Sequence, residues 1–147
     1  MQNNIPGLKL DFSKSPTIWK FLQDKSFVRG LIGPVGSGKS YACCAEIFKR
    51  AIQQKPSPRD GIKYSRFVIV RNSYPMLKTT TLKTWLELFP EHIYGPVRHS
   101  PPITHHIKLP SRDGAAGIDC EVIFLALDQP KDCLLYTSDA ADDVVCV

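Results

Sequence analysis

The sequence predicts an α/β fold built on a parallel sheet, and three observations carry that prediction. A short apolar run, Phe27–Ile32 (FVRGLI), leads into a glycine-rich loop. The loop passes directly into an amphipathic segment, Tyr41–Gln54 (YACCAEIFKRAIQQ). A second apolar run, Arg66–Arg71 (RFVIVR), follows after the loop Lys55–Gly61. Short continuous apolar runs read as buried strands, and strands alternating with helices imply crossover connections and hence parallel pairing.

The elements follow in order. Pro6 and Pro16 bound a short alternating segment, Leu8–Phe12, and Thr17–Asp24 reads as one or two helical turns with Ile18, Phe21 and Leu22 on one side. In Tyr41–Gln54, Ala45, Phe48, Ala51 and Ile52 recur at helical spacing, which places Glu46, Lys49 and Arg50 outward. Asn72–Pro75 ends the second strand. Leu77–Leu88 reads as a helix stopped by Phe89-Pro90, because a residue before proline is driven out of the helical region. Its Leu82, Trp85 and Leu86 are assigned to the core and Lys78 and Lys83 to solvent, although with Tyr74 they mix the basic and aromatic character of a nucleic-acid surface. After a turn at His99–Pro102, Ile103–Leu109 (ITHHIKL) and Ile118–Leu127 (IDCEVIFLAL) read as two strands joined as a hairpin through Arg112–Gly117. His105 and His106 are strand neighbours, so their rings point to opposite faces and do not share a metal.

Composition narrows the class. Of 147 residues, 43% are hydrophobic and 22% charged, which excludes wholesale disorder. No run approaches the roughly 18 apolar residues of a membrane span. Met1–Asp11 lacks a basic stretch followed by an apolar core, so no secretion signal is read there and a soluble intracellular protein is expected. The net charge of +5 permits contact with phosphates, but the charges are dispersed. Five cysteines (Cys43, Cys44, Cys120, Cys133 and Cys146) are odd in number, irregularly spaced and without a C-x-x-C pair, which points to reduced thiols.

One motif carries chemistry. Gly33-Pro34-Val35-Gly36-Ser37-Gly38-Lys39-Ser40 satisfies G-x-x-x-x-G-K-[ST] at every fixed position. Glycines at 33, 36 and 38 permit left-handed backbone, which turns N–H groups inward to form an anion site that the following helix end reinforces. Lys39 is expected to reach the β- and γ-phosphates of ATP, in binding and in catalysis, and the Ser40 hydroxyl suits Mg²⁺, a hard cation that prefers oxygen. Strand before and helix after are the context this phosphate-binding loop requires.

Hydrolysis needs more, namely an acidic strand end for the Mg²⁺ shell and a glutamate to activate water. Val122–Asp128 (VIFLALD) resembles an acidic Walker B strand, but Gln129 follows the aspartate, and an ordinary strand ending in an Asp turn is the favoured reading. Glu87 and Glu91 are assigned to solvent. Three roles stay open for Arg71, at the carboxyl end of the second strand: phosphate contact in cis, an arginine finger, or a solvated strand-end charge.

Taken together, GPVGSGKS, VIVRNSYPMLKTTTLKTWLELFP and IDCEVIFLALDQPKD resemble the N-terminal ATPase region of phage terminase large subunits over roughly Leu8 to Asp132. The resemblance implies a P-loop NTPase of RecA/ASCE-like type, a three-layer sandwich, here incomplete. It implies ATP hydrolysis coupled to packaging of double-stranded DNA, with a nuclease domain following. The implied partners are a portal protein, a small terminase subunit and sister copies in a ring, and the implied setting is the host cytoplasm, away from any membrane. Gly33 to Ser40 correspond to the Walker A loop, Arg71 to the family's arginine after the second strand, and Asp128 to the turn before Walker B, which does not follow here. Instead Cys133–Asp142 (CLLYTSDAAD) resembles a translated transposase-type sequencing adapter. The expected organisation is therefore a segment 1–26, a partial ATPase domain 27–132 and a non-native tail 133–147. Poor ATP hydrolysis is expected of the chain as written. The alternative is a stand-alone nucleotide-binding or kinase-like module, against which the sequence offers no arginine-rich lid.

Overall fold

The computed structural model describes residues 12, 14–112 and 114–128, together with the backbone of 144–146. The segment Leu8–Phe12, apart from Phe12, lies outside the described residues, as does 133–147 apart from that short backbone stretch.

The chain forms α1 (Pro16–Gln23), α2 (Lys39–Gln53), β1 (Lys63–Arg71), α3 (Tyr74–Met76), a π-helical turn (Leu77–Thr81), α4 (Leu82–Leu88), α5 (Glu91–Tyr94), β2 (Val97–Arg98), β3 (Ile103–Leu109), β4 (Ile118–Ala126) and β5 (Val144–Cys146). The strands make one sheet in the order β2-β3-β4-β1-β5. β1 runs parallel to β4 along its whole length, from Lys63 opposite Ile118 to Arg71 opposite Ala126. β5 is also parallel to β1, whereas β3 is antiparallel to β4 and β2 to β3. The fold is thus α/β as expected, but the sheet is mixed. The hairpin of β3 and β4 is the reason: a short turn can only return the chain antiparallel, while β1 and β4 are separated by the crossover length that parallel pairing needs.

The register puts the fully buried apolar strand residues on one face. Phe67 and Ile69 lie opposite Val122 and Phe124, and Ile103 and Ile107 of β3 complete the row. Ile47, Phe48 and Ala51 of α2 and Leu82, Trp85 and Leu88 of α4 cover it in a single core. Its centre is aromatic, with Trp85 and Phe89 ring centroids 4.3 Å apart and Phe48 and Phe89 4.9 Å apart. Such tilted contacts add about 0.5–1.5 kcal/mol each beyond area burial. Among the described residues the helices of this core pack on that one face. Val68, Val70, Ile123 and Leu125 form the opposite face and are half-buried.

The largest correction concerns Phe27–Ile32, which is not a strand. Phe27 and Ile32 are 96% and 98% exposed. β1 has β4 on one side and β5 on the other, so the edge beside β1 is already paired. The segment is instead drawn toward the helices through Arg29. Its guanidinium donates to the carbonyls of Phe21 (2.9 Å) and Asp24 (2.8 Å) and to Glu46 on α2 (2.7 Å), and stacks over the Phe21 ring.

Candidate functional site

The glycine-rich loop ends where α2 begins. Gly36 and Gly38 both hold φ of 79°, in the left-handed region that glycine alone enters without cost. Gly38 is the N-cap of α2 and has no side chain to cap it, so the first N–H groups of a 15-residue helix stay directed at the loop. An added Cβ at Gly33 would meet Ser37 Oγ at 3.1 Å, and one at Gly38 would meet Ile18 Cδ1 of α1 at 3.3 Å. The loop is therefore a cradle that side chains at 33 and 38 would fill, and α1 backs it.

Lys39 closes this cradle. Its Nζ donates to the carbonyls of Gly33 (2.7 Å) and Pro34 (2.5 Å) and to Ser37 Oγ (3.1 Å), while Ser37 Oγ donates to Pro34 O at 2.8 Å. The ammonium thus sits inside its own loop with all three donors engaged. Pro34 and Val35 form the exposed rim, and Ser40, half-buried, is the second residue of α2.

Arg71 is half-buried at the carboxyl end of β1, where its Nε donates to Thr81 Oγ1 at 2.7 Å. Its charge also acts on α2. Burial pushes the Cys44 thiol up to about 12, with the Arg71 charge acting against that rise. At Cys43 burial again raises the thiol, aided by Glu46 and opposed by Arg29 and Arg71. Cys43 lies one turn after Ser40, so β1 delivers Arg71 to the helix that the loop begins. Both thiols are buried, and raised values leave them protonated and unreactive at neutral pH.

The carboxylates named from sequence all have protein partners. Asp128 is exposed and accepts from the Tyr74 backbone N–H at 2.6 Å, a long-range bond that ties the end of β4 to the first residue of α3 and is not a local Asp turn. Glu87 accepts from the Tyr41 hydroxyl, and Glu91 from the Val97 N–H at 2.6 Å. His105 is buried in the core, whereas His106 faces the other side and meets Asp119 at 2.5 Å. Among the described residues no group of three His, Cys, Asp or Glu is placed to hold a metal.

Two residues escaped the sequence reading. Glu46 does not face solvent: it is 3% exposed and paired to Arg29 (2.7 Å), Lys49 (3.1 Å) and Arg50 (3.1 Å). Burial alone would raise its carboxyl, but hydrogen bonds from these three cations outweigh it and hold the group below the ordinary range. A polar cleft of about 470 Å³ lies beside this cluster, at the far end of α2 from the loop. The other residue is Thr81, also 3% exposed. It occupies a position of the core stripe Leu77, Thr81, Trp85, Leu88, and a polar residue in an apolar row was the available signal.

Among the described residues no helix is long and apolar enough to cross a membrane. Comparison with protein-family models, with curated proteins and with solved structures finds no match.

Proposed function

We propose that Gly33–Ser40 binds the phosphates of ATP with Mg²⁺, and that the chain is the ATP-binding part of a P-loop motor of the terminase large-subunit kind. One observation carries the nucleotide reading: left-handed glycines at 36 and 38 deliver the loop to the uncapped start of α2 with the Lys39 ammonium inside it. In this reading the α2 N–H groups and Lys39 take the phosphate oxygens, and the Ser40 hydroxyl holds the ion. The ion, when bound, supplies positive charge that neutralises phosphate oxygens. To bind, Lys39 exchanges the Gly33 and Pro34 carbonyls for phosphate, a stronger charge-assisted contact. Asp128, Glu87 and Glu91, the carboxylates considered from sequence, each bind a protein donor outside the loop, so binding without brisk turnover is the expected behaviour.

The motor reading rests on the sequence resemblance. It brings double-stranded DNA, a portal protein, a small terminase subunit and sister copies in a ring as partners, and the host cytoplasm as the setting. Calorimetric titration of the chain with Mg-ATP tests the first step: saturable binding is expected, abolished in Lys39→Ala. No binding, or equal binding by the variant, overturns the nucleotide reading. Pull-down of the chain by portal protein, with an unrelated P-loop protein as control, tests the motor reading.

A further inference from the structure

We propose that Thr81 is a positioning residue that holds Arg71 as a phosphate clamp across from the glycine-rich loop. The inference rests on the nucleotide reading of that loop and adds to it a residue and a device.

Three observations support the assignment. The first is the hydrogen bond itself. Arg71 donates through Nε at 2.7 Å, which leaves the two Nη groups as a planar fork suited to a pair of phosphate oxygens. The second is the missing counter-charge. Arg71 is half-buried, yet among the described residues it has no carboxylate partner, whereas Arg29, Arg50 and Arg66 all have one. A partly desolvated guanidinium without an anion is costly, and a bound anion removes that cost. The third is the helix that carries Thr81. Thr79, Thr80 and Thr84 turn their hydroxyls back onto carbonyls one turn earlier, at 2.7, 2.8 and 3.0 Å. Thr81 instead accepts from Arg71, and it ends the π-helical turn Leu77–Thr81, where the Leu82 N–H reaches the Leu77 carbonyl. A π turn inserts one residue into the helical register and is found often at functional sites. Here it coincides with a core-facing threonine under the end of β1.

The clamp is read by a double-variant cycle on the full chain, with Mg-ATP and Mg-ADP titrated calorimetrically. Thr81→Val, which keeps shape and removes the acceptor, is expected to weaken Mg-ATP binding about tenfold. Thr81→Ser is expected to restore it. In an Arg71→Ala background, Thr81→Val should have no further effect on binding, because the residue acts only through Arg71. Thermal unfolding of each variant separates loss of fold from loss of clamp, and Thr81→Ser with Arg71→Ala decides the matter should Thr81→Val not fold. Mg-ATP binding that depends on Lys39 but is unchanged by Arg71→Ala, or a Thr81→Val effect that persists without Arg71, overturns the clamp alone. Absence of Lys39-dependent binding in the unsubstituted chain overturns the nucleotide reading and the clamp with it.

Discussion

Trp85 and His105 are hydrogen-bonded across the core: the indole Nε1 donates to His105 Nδ1 at 2.8 Å. An Nδ1 that accepts places the proton on Nε2, which therefore donates to the Gly95 carbonyl at 2.9 Å. The ring is fully buried, and accepting from Trp85 at Nδ1 requires the neutral imidazole, because a protonated ring has only donors.

A pH dependence follows. Burial pushes the His105 pKa below its ordinary value, against smaller opposing effects from the Gly95 hydrogen bond and Glu91. The unfolded chain, with a histidine pKa near 6.5, takes up the proton first as pH falls. Stability from this group is therefore full above about pH 6.5 and is lost as pH drops toward the folded value, by about 1.4 kcal/mol per unit of depression. Urea midpoints between pH 7.5 and 5 should fall in the unsubstituted chain and flatten in His105→Gln. An equal slope in both would show that other groups control this range.

The Glu46 cluster predicts a larger loss. Removing one partner of a buried ion pair costs about 3–5 kcal/mol, because the other charge is left uncompensated. Glu46→Ala should approach that range, since Arg29 is itself almost buried. Replacing both groups by apolar ones, as Glu46→Leu with Arg29→Met, should recover most of it. Denaturant titration reads both. The lowered carboxyl adds an acid limb: its contribution is present above the unfolded value near 4.3 and is lost as pH falls through the folded one.

How much of this was legible in the sequence depends on how local the cause is. The loop, the helix after it, β1 and the β3–β4 hairpin follow from spacing within single segments, and all stand close to where spacing puts them. Trp85 and Leu82 are buried for the same reason. Phe27–Ile32 could not be placed this way, because a strand exists only where an edge receives it, and β5 takes that edge. Glu46 was misplaced because its burial depends on Arg29, 17 residues away, at the end of a segment with no helical period. The Thr81–Arg71 bond spans an element boundary and a π turn, and helical periodicity registers neither.

The exposed segment before the loop has a solution consequence. Phe27, Val28, Ile32 and Val35 are all exposed along one short stretch, which is the kind of apolar surface that drives association. Phe27→Ser with Ile32→Ser should reduce concentration-dependent self-association in sedimentation velocity. It should change unfolding free energy by less than about 0.5 kcal/mol, as for other exposed positions. A cooperative loss of stability would instead mean that these side chains are packed in solution.

Gly38 separates backbone strain from steric contact at the head of α2. Its φ of 79° costs a residue with a Cβ about 1–2 kcal/mol. The Cβ would also stand 3.3 Å from Ile18 Cδ1, close enough that Ile18 must shift by a few tenths of an ångström. Gly38→Ala should therefore destabilise by about 2 kcal/mol in total, as special-φ sites do. Shortening the neighbour with Ile18→Val in the same chain removes the contact but not the dihedral cost. The double variant should then lose less than the sum of the two single losses, and the shortfall measures the contact. Strict additivity would place all of the penalty in the backbone and show that α1 does not press on the loop.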